Sequence, residues 1–260
     1  MTFDLKKVRE LLDADRRTLN PWGAEAEVLP RVTRMRGLVV DWHNITFSAL
    51  TSDDAEEVIA AEAAHYRSLG RTVEWTAYAH DGPPDLRDRL ARHGFEIGPR
   101  EAVMVLDAES RPAWVDEPSP HRVERVATSE RLACFRHVAE GVFGGSHETI
   151  VQELAAALEQ ATDEHVGYLA FESGRAAAVA RMYTRPERSC FAGLYGGGTL
   201  PAYRRRGVYR ALVAQRVREA LAMGVRYMRV DALPTSQPIL ERLGFCELTQ
   251  AWPCVLRCSS

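Results

Sequence analysis

Hydrophobic positions along this chain alternate between two periods. After Val208 they recur at helical spacing, with Leu212, Val213, Val217, Ala220 and Leu221 on one face and Gly224 placed to end the run. Residues 129–143 and 146–160 repeat that period behind serines that read as N-caps. Strand patterns cover 121–126, two apolar runs joined by Ser173-Gly174 as a hairpin, a run from Phe191, and 227–232; a short helix over 238–243 and the pair Gly244-Phe245 follow. The first half contains a helix over 54–69, a strand over 72–79, a helix over 85–93 leading to Gly94-Phe95, and a strand over 101–107. Between the halves, 107–120 combines three prolines with acidic and small residues and reads as a boundary. The expected division is 1–112, a linker over 113–120, and 121–260, each half a mixed α/β unit.

Composition narrows this picture little. The chain has 260 residues, 46% hydrophobic and 27% charged, with a formal net charge of −3, so it has length enough for two small domains and no broad basic surface for nucleic acid or membrane. The cluster Arg204, Arg205, Arg206 and Arg210 is therefore a local positive feature, sized for a small anion. The five cysteines, Cys134, Cys190, Cys246, Cys254 and Cys258, lack zinc-type or Cys-x-x-Cys spacing. They read as reduced thiols, which makes cytoplasm the expected compartment and predicts no metal. The charged residues from Asp4 to Glu10 predict neither a signal peptide nor a membrane span.

The candidate chemistry lies in residues 196–210, where Gly196-Gly197-Gly198 ends a strand, Pro201 stops pairing, and an arginine cluster runs through Gly207 into a helix. First-turn amides have no internal partner and the helix dipole is positive there, so phosphate oxygens are favoured, with guanidinium groups as bidentate partners. A pyrophosphate suits this cradle. The Gly-Lys-Ser/Thr phosphate loop is absent, and no Gly-x-Gly-x-x-Gly follows an N-terminal strand.

Arg204-x-x-Gly207 resembles the Arg/Gln-x-x-Gly-x-Gly/Ala signature of the GNAT superfamily of acyl-CoA N-acyltransferases, and the order of elements from His121 to Gly244-Phe245 resembles that family's fold. The resemblance implies α/β (α+β) architecture, a central mixed, mostly antiparallel sheet flanked by helices, and acetyl-CoA as acyl donor. It implies that Gly197, Gly198 and Thr199 pair with the pantetheine arm. Arg205, Arg206, Gly207, Val208, Tyr209 and Arg210 would hold the phosphates, with Arg204 bracing the loop. Two positions depart from the family: Tyr209 stands for the last glycine or alanine, and Leu240 stands where many members carry a tyrosine acid. Tyr195 and Tyr183 are the candidate replacements, and Ser236 is placed to cap the short helix or meet the cofactor's sulfur region. Glu140, Glu172, His137 and His147 are possible proton acceptors, though each reads first as an ordinary surface group.

The order of elements recurs in the first half, which implies a tandem arrangement with a degenerate first copy. No arginine loop precedes the helix at 54–69, and Asp53 and Asp54 would repel a pyrophosphate, so this half is expected to act as scaffold. Its aromatics Trp42, Tyr66, Trp75 and Tyr78 are candidates for an acceptor-pocket wall or for core. The resulting expectation is acetyl transfer to a primary amine of a small molecule; the alternative is an acyl-CoA-binding sensor without turnover.

Overall fold

The computed structural model describes residues 4–258. They form two compact units, and the chain visits each more than once. Among the described residues, the first contains 4–104, Asp231–Leu240 and 246–258; the second contains Val105–Val230 and Glu241–Phe245.

The first unit opens with α1 (Leu5–Thr18), β1 (Ala24–Val28), β2 (Val32–Gly37) and β3 (His43–Ser48). It continues through α2 (Ala55–Leu69), β4 (Val73–Tyr78), α3 (Leu86–Arg92), β5 (Glu96–Ile97) and the start of β6 (Glu101–Asp107). β1, β2 and β3 pair antiparallel, whereas β3 and β4 are parallel because α2 carries the chain back across the sheet. Alternate residues of β4 then face α2 and α3, and Ile45, Ile59, Tyr66, Trp75, Leu90 and Phe95 close the core. Tyr66, Trp75 and Tyr78, three of the four aromatics considered for a pocket wall or for core, are buried at 2%, 0% and 5% exposure.

The second unit runs through β7 (Arg122–Arg125), α4 (Ser129–Phe143), α5 (Glu148–Glu159), β8 (His165–Glu172), β9 (Arg175–Thr184), β10 (Phe191–Thr199), α6 (Val208–Ala222) and the start of β11 (Tyr227–Ala232). β7 to β10 form an antiparallel meander, and the β8–β9 turn is made by Ser173 and Gly174, both at positive φ as its hairpin geometry requires. The expected serine cap of α4 sits one residue late: Thr128 is the N-cap, its hydroxyl accepting from Arg131 N at 3.2 Å. At α5 the N-cap residue is His147, whose side chain makes no cap bond, while Ser146 Oγ accepts from Glu148 N at 3.4 Å.

After β11 come α7 (Gln237–Arg242) and β12 (Cys246–Leu256). β12 pairs antiparallel with β4 from Ala251↔Tyr78 to Leu256↔Val73 and buries Cys254 and Leu256 in the first unit's core. Conversely, Val105–Asp107 of β6 belong to the second unit. The chain thus crosses the division expected near residue 115, because β12 from the second half of the sequence pairs with β4, while Val105–Asp107 from the first half count with the second unit. Within residues 107–120, two points are anchored: Val115 is fully buried, and Trp114 Nε1 donates to the Leu243 carbonyl at 3.1 Å.

Candidate functional site

The glycine run creates a break in β10. Tyr195 pairs with Arg181 and Gly198 with Val179, so β10 carries one extra residue across Gly196-Gly197, a β-bulge. Gly196 has φ +53°, a conformation glycine adopts without strain. Parallel pairing with β11 runs only from Phe191↔Tyr227 to Gly193↔Arg229, and β10 continues six residues beyond it, to Thr199. Gly198 is small for a packing reason: a methyl group there would overlap Val142 and lie 2.8 Å from Phe143 Cζ. At Gly197 it would lie 3.0 Å from the ring of Tyr209, which therefore folds against the bulge, on the sheet face covered by α6.

A short turn over Pro201–Tyr203 leads to the arginine loop. Arg204 Nε donates to the Thr199 carbonyl at 3.1 Å. Arg205 is left-handed at φ +61°, and Gly207, at φ +86°, is the N-cap of the 15-residue α6 without any side-chain cap bond. The first-turn amides of α6 are therefore not claimed by a capping side chain, as a bound anion would require. Val208 anchors the turn at 1% exposure, and Thr199 is also buried. Arg204, Arg205, Arg206 and Arg210 are exposed, Arg210 paired with Glu117 and Arg206 lying 3.8 Å from Glu172. Behind the loop, His121 Nε2 meets the Arg206 carbonyl at 2.7 Å while Nδ1 lies 2.7 Å from Glu172 Oε2.

Tyr183 and Tyr195 do come together, edge to face at 5.4 Å. The Tyr183 hydroxyl donates to Glu153 Oε2 at 3.1 Å, and its ring stacks on His165 at 3.8 Å. Burial, despite nearby Arg181, pushes the Tyr183 phenol well above its usual range, so it keeps its proton at neutral pH. Burial, with the charge of Arg181, pulls His165 down to about 3, so its ring is neutral. The four acid–base candidates lie elsewhere: Glu172 faces His121, His147 meets the Gly144 carbonyl at 3.0 Å, and His137 and Glu140 are exposed on α4. Ser236 donates its hydroxyl to the Leu233 carbonyl at 3.1 Å, and Leu240 is fully buried; both belong to the segment counted with the first unit.

Sequence reasoning missed His121, Glu153, Arg181 and Arg216. Arg216 is 1% exposed, Nε donating to the Leu212 carbonyl at 3.2 Å and Nη1 to the Arg181 carbonyl at 3.1 Å, while Nη2 has no hydrogen-bond partner. Burial lowers its pKa, an effect opposed by the nearby Tyr209 hydroxyl. A signal was present for two of them: Arg216 interrupts the apolar stripe of α6 between Val213 and Val217, and Arg181 lies on the sheet face of buried Val179.

The first unit contains a plugged counterpart. β3 bulges at Thr46, between Thr33↔Phe47 and Arg34↔Ile45, and the Thr46 carbonyl accepts from Arg16 Nε at 3.0 Å. Asp54 is the N-cap of α2; it accepts from Thr51 N at 2.7 Å and pairs with Arg31 at 2.6 Å. A cleft of about 480 Å³ in this unit is lined by Glu25, Arg34, Arg36, His43, His65 and Tyr66 among others. Its arginines already pair with Glu25, Glu27 and Glu62. Among the described residues no cluster of His, Cys, Asp and Glu could hold a metal, and no helix is long and apolar enough to cross a membrane.

The family model described as acetyltransferase (GNAT) family matches residues 132–245. A GCN5-related N-acetyltransferase from Kribbella flavida is 16% identical, the match covering 98% of this chain and 96% of that one with a TM-score of 0.67. A tandem GNAT protein from the clavulanic acid biosynthesis pathway is 11% identical over 96% and 88% of the two chains, with a TM-score of 0.61. A GCN5-related N-acetyltransferase from Sphaerobacter thermophilus is 11% identical over 90% and 82%, also at 0.61. At these identities the likeness is one of fold, and it extends over both units. Comparison with curated proteins returns no significant match.

Proposed function

We propose that the second unit, which holds most of the residues 132–245 that match the acetyltransferase (GNAT) family model and which shares its fold with GNAT proteins, transfers an acetyl group from acetyl-CoA to a primary amine of a small molecule. The observation that carries this reading is the sequence of a glycine bulge in β10, a left-handed arginine-glycine loop, and an α6 N-terminus with no side-chain cap. The loop fits a pyrophosphate, held by the amides after Gly207 and by Arg205, Arg206 and Arg210. The backbone of Gly197, Gly198 and Thr199 would pair with the pantetheine arm, with a bulge amide facing the thioester oxygen.

The thioester is already activated, so this chain's residues mainly align, accept a proton and stabilise charge. The amine lone pair forms the C–N bond as the carbonyl pair moves to oxygen; on collapse the C–S bond breaks with its electrons going to sulfur. Glu153 is the proposed acceptor for the amine proton, directly or through water, since it lies on the sheet face shared by Tyr183 and Tyr195. Tyr183 orients that carboxylate. Tyr195 is the remaining candidate to meet the leaving thiolate. The first unit serves as scaffold: Arg16 occupies its bulge and Asp54 the helix start where a phosphate would need to sit. The five free thiols suit a reducing compartment, and cytoplasm is proposed on that ground.

Calorimetric titration of acetyl-CoA into wild type and Gly207→Glu tests the donor site. Loss of binding in the variant alone supports it, and a panel of primary amines scored by thiol release then identifies the acceptor. Absence of binding to folded wild type would overturn the reading.

A further inference from the structure

The glycine bulge of β10 lies between two guanidinium groups. Where a side chain of Gly196 would begin, the nearest atom is Arg181 Nε at 3.3 Å; where that of Gly197 would begin, Arg216 Nη2 lies at 3.5 Å. They approach from opposite faces of the sheet, for Arg181 projects toward α5, 3.7 Å from Glu153, and Arg216 belongs to α6. The two charges are held differently. Arg181 has a carboxylate beside it, while the partners of Arg216 Nε and Nη1 are backbone carbonyls, dipoles that leave a buried positive charge in excess. Burying such a charge is unfavourable, and the surrounding stripe of Val213, Val217 and Ala220 would accept an apolar residue instead.

We propose that Arg181 and Arg216 make the bulge a seat for negative charge, stabilising the oxyanion and the departing thiolate in a chain that has Leu240 where the family carries a tyrosine acid. The inference rests on the acetyl-CoA reading above. Formation of the C–N bond puts one negative charge on the carbonyl oxygen; cleavage of the C–S bond moves it to sulfur, and the ammonium proton reaches that thiolate through Glu153 or solvent. Both positions of the charge would lie at the bulge, within through-space reach of Arg216, whose own burial keeps its charge from being screened by water. Arg216 Nη2 is buried, so the guanidinium acts through space as a positioning charge rather than by touching substrate.

The test compares CoA with carboxymethyl-CoA, whose carboxylate stands where the acetyl group would be, by calorimetry. Wild type is expected to bind carboxymethyl-CoA at least about tenfold more tightly than CoA. Arg216→Met and Arg181→Met should each reduce that ratio to below about threefold while leaving CoA affinity within about twofold, and Arg216→Lys should retain the preference. Retained CoA affinity also reports that each variant is folded; should Arg216→Met fail it, the Arg181→Met ratio decides. A wild-type ratio near one, or a ratio unchanged in the methionine variants that bind CoA, overturns the seat. Failure of wild type to bind CoA overturns instead the reading on which it rests.

Discussion

His121 Nε2 lies 2.7 Å from the carbonyl oxygen of Arg206, joining the residue that precedes β7 to the loop that enters α6. Since the carbonyl accepts, Nε2 carries the proton; Nδ1 lies 2.7 Å from Glu172 Oε2. The bond holds the carbonyl that precedes Gly207 and so orients the following amides. Losing a bond of this kind is worth about 1.5 kcal/mol, so His121→Phe is expected to weaken acetyl-CoA binding by roughly tenfold. His121→Gln, which can reach the same carbonyl, should stay within about threefold. Calorimetry distinguishes these outcomes, and unchanged affinity in the phenylalanine variant refutes the bracing role.

Gly198 and Gly207 should fail for different reasons. Gly198→Ala places a methyl into Val142 and Phe143, an overpacking cost of about 2 kcal/mol, whereas Gly207→Ala meets nothing closer than His121 at 3.5 Å and costs about 1 kcal/mol through its φ of +86°. Adding Val142→Ala should recover part of the first loss and none of the second, as read by urea unfolding.

His165 gives a signed pH dependence. It remains neutral in the folded unit down to about 3, while the unfolded chain takes up a proton near 6.5. Below pH 6.5 the unfolded state therefore binds the extra proton, and stability falls by about 1.4 kcal/mol per pH unit toward pH 3. His165→Phe, which keeps the stack on Tyr183, should flatten that part of the profile. Parallel slopes for wild type and variant between pH 6.5 and 4.5 would contradict the assignment.

A fragment beginning at Ala113 should not fold, although it contains the whole family match at 132–245. It lacks β6, whose Ala102–Leu106 are at most 2% exposed, and its β12 has lost β4 as partner. Each large apolar residue stripped of cover forfeits about 2 kcal/mol. Circular dichroism and exchange protection of the fragment, against the full chain, measure this; a cooperative unfolding transition in the fragment would show the halves to be independent.

Arg16 should be among the most sensitive positions of the first unit. Its guanidinium makes paired contacts of 3.0 and 2.7 Å with Asp81, whose side chain is 4% exposed. Arg16→Met strands that carboxylate, at a cost of about 3 kcal/mol or more, while exposed Arg36→Met should cost less than about 1 kcal/mol. Urea midpoints compare the two directly.

Local pattern determined much of this protein. The helix over 55–69, the strand over 73–78 and the strand over 101–107 were legible within a residue, because periodicity, β-branching and glycine stops act over a few neighbours. So was the arginine-glycine loop that enters a helix, since Arg204 to Gly207 and α6 are contiguous in the chain. Tertiary structure decided what depends on residues far apart. The pairing of β12 with β4 joins positions more than 170 apart in the sequence and has no local signature. The same holds for Glu153 beneath Tyr183, His121 behind Arg206, and Arg181 with Arg216 around Gly196-Gly197. A side chain's charge is written in the sequence, but whether it is solvated, paired or buried beside a bulge is settled only when distant strands and helices pack.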